Sequence, residues 1–301
     1  MRRRRYGQAK TEAKWGILFA LPVITGFFLW TAGPTIASFI LSLARWPIVG
    51  SPEFIGLGNY IQLFGRDNLF KKSLGVTTYY ALGSIPLVII AAFIVAMLLN
   101  QKVKGQSIFR TVYYLPSVVP AVAGAVLWLW LFNPNFGLLN HILSIFGLPQ
   151  LMWIYDEVQV VPSFIVMSIW AMGGTMLIFL AGLQGVPNSL FEAIEIDGGN
   201  WWDKFRHITV PMMTPVIFFN LVMGIIGSFQ IFNQAYVMTD GGPNNASLFF
   251  VYYLYLNAFR YGKMGYACAL AWILFLTILG LTLIVFKSSS YWVFYEMKKR
   301  K

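Results

Sequence analysis

Charge is scarce in this sequence. Asp, Glu, Lys and Arg make up 11% of its 301 residues, where soluble domains carry about 25%. With 58% of residues hydrophobic, the chain would expose far more apolar surface than water tolerates. A soluble globular domain is excluded and the bilayer is the expected solvent. Cysteine is nearly missing. Cys268 stands alone in an apolar run, can form no internal disulfide and reads as packing. The pattern G-x-x-x-x-G-K-[ST], which cradles nucleotide phosphates, is absent. No stretch is left that could house such a domain, so ATP is expected to bind elsewhere if it is used at all.

What is present is a series of long apolar runs. Six stretches, residues 15–44, 75–99, 111–132, 158–184, 213–238 and 264–286, contain no Asp, Glu, Lys, Arg or His. Each has room for the ~20 apolar residues that one helix needs to cross hydrocarbon. Helices are required because no water inside the bilayer can satisfy open backbone groups. The expected fold is therefore an all-α integral membrane bundle of six transmembrane helices. The start, MRRRRYGQAKTEAK before an apolar run, resembles a signal peptide. That run extends from Trp15 to Ala44, beyond the roughly 7–15 residues of a signal h-region, so an uncleaved first span is expected.

Basic residues set the sidedness. With the N-terminus inside, 16 of the 22 lysines and arginines fall in cytoplasmic segments at 2–14, 102–110, 204–206 and 287–301. Arg45, Arg66, Lys71, Lys72, Arg260 and Lys263 fall outside. Both termini are expected in the cytoplasm, and the outer loops are 45–74, 133–157 and 239–263. The net charge of +11 reads as this asymmetry. It does not read as a nucleic-acid surface, because no basic run is interleaved with exposed aromatics. His141 outside and His207 inside cannot share a metal, so no metal or catalytic site is expected. Residues 1–14 and 287–301 are tails, and 15–286 form one transmembrane domain.

One loop breaks the apolar monotony. SLFEAIEIDGGNWWDKFRHITVP, at 189–211, gathers Glu192, Glu195, Asp197, Asp203, Lys204 and Arg206 among Trp, Phe and Ile. Ser189 and Glu192 form a capping-box pattern, which predicts a helix from about Leu190 to Asp197. Gly198 and Gly199 offer the positive φ that ends a helix, and Asn200 can cap a second short helix through His207. Pro211 and Pro215 mark the start of the fifth span. The apolar residues here exceed what so short an element can bury on itself. It lies on lipid, packs under its own bundle, or docks into a cytoplasmic partner. Its acidic polar face disfavours anionic lipid, and docking is the preferred reading.

The residues of this loop also resemble a known pattern. Glu192-Ala193, Asp197-Gly198, then Ile208 and Pro211 are similar to the EAA loop of ABC-importer permeases, which reads roughly E-A-A-x-x-D-G-A followed by I-x-L-P. Ile194 and Gly199 stand where the pattern has Ala, and Val210 where it has Leu. The bulk of Ile194 bears on the fit in the partner's cleft, and Gly199 is expected to loosen the hinge. Other stretches resemble sugar-transport permeases of the maltose type: FIGLGNYIQLF at 54–64, FRTVYYLPSVVPAVAGAVLWLWLF at 109–132, NPNFGLLNHIL at 133–143 and YVMTDGGPNNAS at 236–247. The last is similar to the outer loop of the first of two paired permeases.

The resemblance implies a role and partners. The loop, 187–212, is implied to be a coupling helix seated on an ATPase subunit through Glu192, Ala193, Ile194, Asp197, Gly198, Phe205, Ile208 and Pro211. A second homologous permease, two ATPase subunits that bind ATP and Mg, and an extracytoplasmic solute-binding protein are implied. The setting is a bacterial or archaeal cytoplasmic membrane, with no cofactor in this chain and no nucleic acid. The implied cargo is a sugar or oligosaccharide; a polyol is the alternative. Spans without Arg or Lys suit a neutral solute, and Asn220, Gln230, Asn233 and Tyr236 are the pathway candidates. Trp170 and Trp272 offer further aromatic faces. An ion-coupled carrier is the rival, disfavoured because such carriers commonly place ionisable groups inside the membrane. Pro116 and Pro120 predict a fixed kink in the third span. Paired glycines at 173–174 and at 224 and 227 predict close helix approach.

Overall fold

The computed structural model describes residues 2–101 and 104–294. The basic end of the expected tail (Lys298, Lys299, Arg300, Lys301) and Lys102 lie outside the described residues. The elements in chain order are α1 (Arg2–Phe27), α2 (Gly33–Ser42), β1 (Ala44–Arg45), β2 (Glu53–Phe54), α3 (Gly58–Arg66) and α4 (Asn68–Leu99). Then come α5 (Gln106–Val118), α6 (Ala121–Leu131), α7 (Leu138–Ile145), α8 (Val160–Trp170) and α9 (Gly173–Gln184). The rest are α10 (Asn188–Ile196), α11 (Trp201–Lys204), α12 (Val210–Phe229), α13 (Phe250–Tyr255) and α14 (Met264–Trp292). The two short strands pair antiparallel, Ala44 opposite Phe54 and Arg45 opposite Glu53. They are a small departure from the all-α expectation, confined to an expected outer loop.

Four continuous helical stretches are long and apolar enough to cross a membrane: Glu12–Ser42, Asn68–Leu99, Trp201–Phe229 and Met264–Trp292. Two helix pairs qualify only when joined across a bend, α5 with α6 at 99° and α8 with α9 at 47°. The described residues therefore hold four to six candidate spans. The expected kink in the third run is instead a break. Pro120 has no N–H to give, and it forces Val119 into extended backbone (φ −65°, ψ 128°), which ends α5. Pro116 stays inside α5.

Other boundaries shift for local reasons. The second run starts at Asn68, not 75, because Asp67 caps it by accepting from the Phe70 N–H at 2.9 Å. Lys71 and Lys72 thus belong to the first turn of α4. The first run begins far before Trp15, since α1 takes in most of the expected tail, and a π-helical turn at Phe28–Ala32 joins it to α2.

The chain forms two compact units. One lies within Met1–Arg66 and Tyr255–Ile273, the other within Asp67–Leu254 and Leu274–Lys301. In the first, buried Asn59 donates to the carbonyls of Ser42 (2.8 Å) and Ala44 (2.9 Å), satisfying groups left open as α2 ends. Trp272 packs edge-on to Phe39 and donates to Ser38 Oγ. In the second unit α4 packs against α8, α9 and α12. Its core is Ala92, Ala96, Leu99, Met176, Phe179, Leu183 and Met213. Lipid offers little hydrophobic drive between helices, so close fit decides. A β-carbon at Gly173 would sit 2.7 Å from the Tyr113 carbonyl oxygen, which lets α9 approach α5 backbone to backbone. Thr77 ties α4 to α13 by accepting from the Phe250 N–H at 2.9 Å, and Tyr253 donates to Asp67 at 2.6 Å.

Candidate functional site

The charged loop between α9 and α12 forms a bracket with several internal bonds. α10 starts at Asn188 with Pro187 as its N-cap and makes no side-chain cap bond. The expected Ser189–Glu192 capping box is absent because Ser189 already lies within the helix. Gly198 takes φ +79°, as expected for a helix-ending residue. Its N–H bonds the Glu195 carbonyl at 3.1 Å and the Gly199 N–H bonds the Ile194 carbonyl at 2.8 Å, the paired closure of a Schellman motif. Asn200 does cap the next helix, accepting from the N–H groups of Trp202 and Asp203, while Asp203 accepts from the Asn200 N–H at 2.9 Å. Lys204 pairs with Glu195 across the turn. Gly199 is therefore no loose hinge.

The second short helix does not end at His207. It passes through a π-helical turn, Phe205–Thr209, straight into α12. Pro211, which has no N–H to give to the preceding turn, directly follows this π-helical turn. Pro215 leaves the Pro211 carbonyl without its helical donor, and Thr214 Oγ1 supplies one at 2.7 Å. The same hydroxyl accepts from the Phe294 N–H at 2.8 Å.

The eight expected docking residues divide into three sets. Glu192, Ala193, Asp197 and Gly198 are exposed. Beside them Ile196 is 87% exposed, Trp201 66% and Trp202 54%, a large apolar face with acids at its edge. Ile194 and Pro211 are half-buried. Phe205 stacks on Trp201 at 5.6 Å and faces Phe93 of α4 at 6.4 Å, and Ile208 is buried. Phe205 and Ile208 thus hold the bracket to the bundle.

The second feature is a cavity of about 430 Å³, within the roughly 300–1,000 Å³ of small-molecule sites. α12 stops at Phe229, and helix resumes at Asn233, running into a π-helical turn at Ala235–Thr239. Gln230, Ile231 and Phe232 in the break, and Asn233 where helix resumes, line the cavity. Non-helical backbone at membrane depth is tolerated where it is buried in protein or lines a cavity. Asn220, Gln230 and Asn233 all line it. Asn220 donates to the Val216 carbonyl at 2.9 Å. Tyr236 is not among the lining residues. It stacks on Phe232 at 5.4 Å and neighbours Tyr252. Trp272, in the other unit, is engaged with Ser38 and Phe39.

Polar lining that the sequence reading missed comes from three other helices: Tyr80 and Ser84 of α4, Ser168 of α8 and Thr175 of α9. Ser168 Oγ donates to the Ile165 carbonyl at 2.6 Å. A neighbouring cavity of about 340 Å³ shares Tyr80, Ser168, Ile231 and Gln234 and reaches Trp170 and Ser117 at the α5 break.

Long apolar helices around a polar-lined cavity, with an acid-edged apolar knob outside them, define a helical membrane transport subunit. The chain belongs to the family of binding-protein-dependent transport system inner membrane components, whose model matches residues 84–291. It is 41% identical over 288 residues to a probable ABC transporter permease of Bacillus subtilis, YesP, covering 94% of this chain and 93% of that protein. It is 32% identical over 279 residues to the trehalose/maltose transport system permease MalF of Thermococcus litoralis, covering 92% and 94%. A chain in the crystal structure of a bacterial alginate ABC transporter, in complex with an alginate pentasaccharide-bound periplasmic protein, superposes with a TM-score of 0.81 at 21% identity, over 93% of this chain and 96% of that one. That likeness shows the fold. The protein is a multi-pass membrane permease subunit and not an enzyme.

Proposed function

We propose that this chain is one membrane-spanning subunit of an ATP-driven importer of a sugar or oligosaccharide. On this reading it has six spans with both termini cytoplasmic, the bent pairs α5–α6 and α8–α9 each counting as one. It pairs with a second, homologous permease and with two ATPase subunits, and an extracytoplasmic solute-binding protein delivers the cargo. ATP and magnesium belong to the ATPase, since this chain has no phosphate-cradling loop. The observation that carries the reading is the knob, with Ile196, Trp201 and Trp202 more than half exposed in a block of helix fastened by its own hydrogen bonds. Such a face needs a partner, and its acids suit a protein cleft better than anionic lipid. The sugar assignment is supported by a trehalose/maltose permease among its relatives.

In this mechanism the two ATPases close on nucleotide and carry the knob with them. Because the bracket runs without interruption through Phe205–Thr209 into α12, displacement of the knob moves the helix whose far end shapes the cavity. Asn220, Gln230 and Asn233, with Ser84, Ser168 and Thr175, then offer hydroxyl and amide groups to a polyhydroxyl solute. Hydrolysis resets the bundle. The test is to replace Glu192 by Lys and Gly198 by Val, then measure co-purification of the ATPase and solute-stimulated ATP turnover. Loss of both is expected. Uptake that continues with no ATPase bound contradicts the proposal.

A further inference from the structure

We propose that Ile194 and Gly199 are a matched pair that sets the angle of the docking helix, so that neither can be exchanged alone without loss of coupling. This rests on the coupling role proposed for the loop.

Gly198 and Gly199 are glycines for different reasons. Gly198 has the left-handed φ of +79°, whereas Gly199 does not. What Gly199 lacks is room. A β-carbon there would lie 2.4 Å from Ile194 Cγ2, 3.1 Å from the Ile194 carbonyl oxygen and 3.4 Å from Asp203 Cβ. The first distance is shorter than any non-bonded carbon contact, so one of the groups must move. Ile194 is β-branched and in a helix, which leaves its χ1 essentially one rotamer and gives Cγ2 no escape by rotation. Moving the backbone instead would break the 2.8 Å bond from the Gly199 N–H to the Ile194 carbonyl. The γ-methyl of Ile194 therefore fills the niche that a side chain at 199 would use.

These are the two positions at which the loop departs from the E-A-A-x-x-D-G-A pattern. The large side chain at 194 and the missing one at 199 are complementary at this contact, since Ile194 lies where a side chain at 199 would go. Everything that fixes the knob on the second helix lies around this contact: the Asn200–Asp203 capping box and the Glu195–Lys204 pair. A shift of the turn would swing exposed Ile196 relative to Trp201 and Trp202, the face offered to the partner.

The experiment uses the full complex of both permeases, ATPase and binding protein, in proteoliposomes. Three variants are compared: Gly199→Ala, Ile194→Ala, and the two together. The readouts are ATP turnover per assembled complex and ATP hydrolysed per solute imported. Gly199→Ala is expected to lower stimulated turnover about tenfold, the scale of overpacking one methyl, and Ile194→Ala about threefold. The double variant is expected to return to within about twofold of the original. A double variant no better than the worse single one overturns the pairing. So do single variants that assemble less complex but turn over normally per complex, since that is packing without coupling. Glu192→Lys is the control. If it strips the ATPase while Gly199→Ala behaves as wild type, the pair alone is refuted. If Glu192→Lys also leaves association and turnover intact, the coupling role itself fails.

Discussion

The knob at 187–212 and the cavity at the end of α12 both interrupt regular helix, and they do so in opposite ways. In the knob the breaks between its two helices are closed by local bonds: the Gly198–Gly199 turn by its paired N–H contacts and Asn200 by its capping box; just beyond it, Pro215 is offset by the Thr214 hydroxyl. At the cavity the helix stops at Phe229 and Gln230–Asn233 turn toward an open volume, with polar side chains drawn from four different helices. One region is rigid and exposes apolar surface; the other is opened and lined with hydroxyls and amides. The proposed coupling to a separate ATPase would use that pairing, a firm lever outside and a polar-lined site within.

Breaking the rigid side is expected to have the largest effect. Gly198→Val puts a β-branched residue at φ +79°, a strain of at least about 2 kcal/mol, and uptake is expected to fall at least about thirtyfold. Uptake assays on the reconstituted complex read this. Next, Gln230→Ala combined with Asn233→Ala removes cavity groups and is expected to lower uptake about tenfold while the ATPase still co-purifies. That split between transport and association separates the two regions cleanly. Asn200→Ala deletes the cap of the second helix, costs about 1 kcal/mol, and is expected to reduce stimulated ATP turnover about fivefold. The smallest effect is expected of Tyr236→Phe. Tyr236 lies on Phe232 outside the cavity lining, so transport is expected to change by less than about twofold; a loss as large as that of Asn233→Ala would bring it into the pathway.

The same contrast explains what could be read in the sequence. The knob was legible because it violates its surroundings: acids, Gly-Gly and Asn within a chain that is 11% charged. Its second helix cap at Asn200 followed from residue type and spacing alone. The first cap failed because the helix starts at Asn188 with Pro187 as its N-cap, two residues sooner than a helix capped by Ser189. The merger of the second helix into α12 was hidden because Pro211 and Pro215 look like breakers, and only a π-helical turn and the Thr214 hydroxyl make the helix continuous. The spans were visible as runs without ionisable residues, but the 99° break at Pro120 was read as a kink. In the cavity, Asn220, Gln230 and Asn233 stood out as amides in apolar helix. Tyr80, Ser84, Ser168 and Thr175 did not, because Ser, Thr and Tyr are common in membrane helices and join the site only through the packing of α4, α8, α9 and α12.

The most direct test reconstitutes the two permeases with and without the ATPase in sealed vesicles, adds loaded binding protein, and follows radiolabelled solute. Accumulation is expected only when ATPase and ATP are present, and to vanish with Glu192→Lys in this chain. Uphill uptake by the permeases alone, driven by a sodium or proton gradient in the absence of nucleotide, would contradict the central claim.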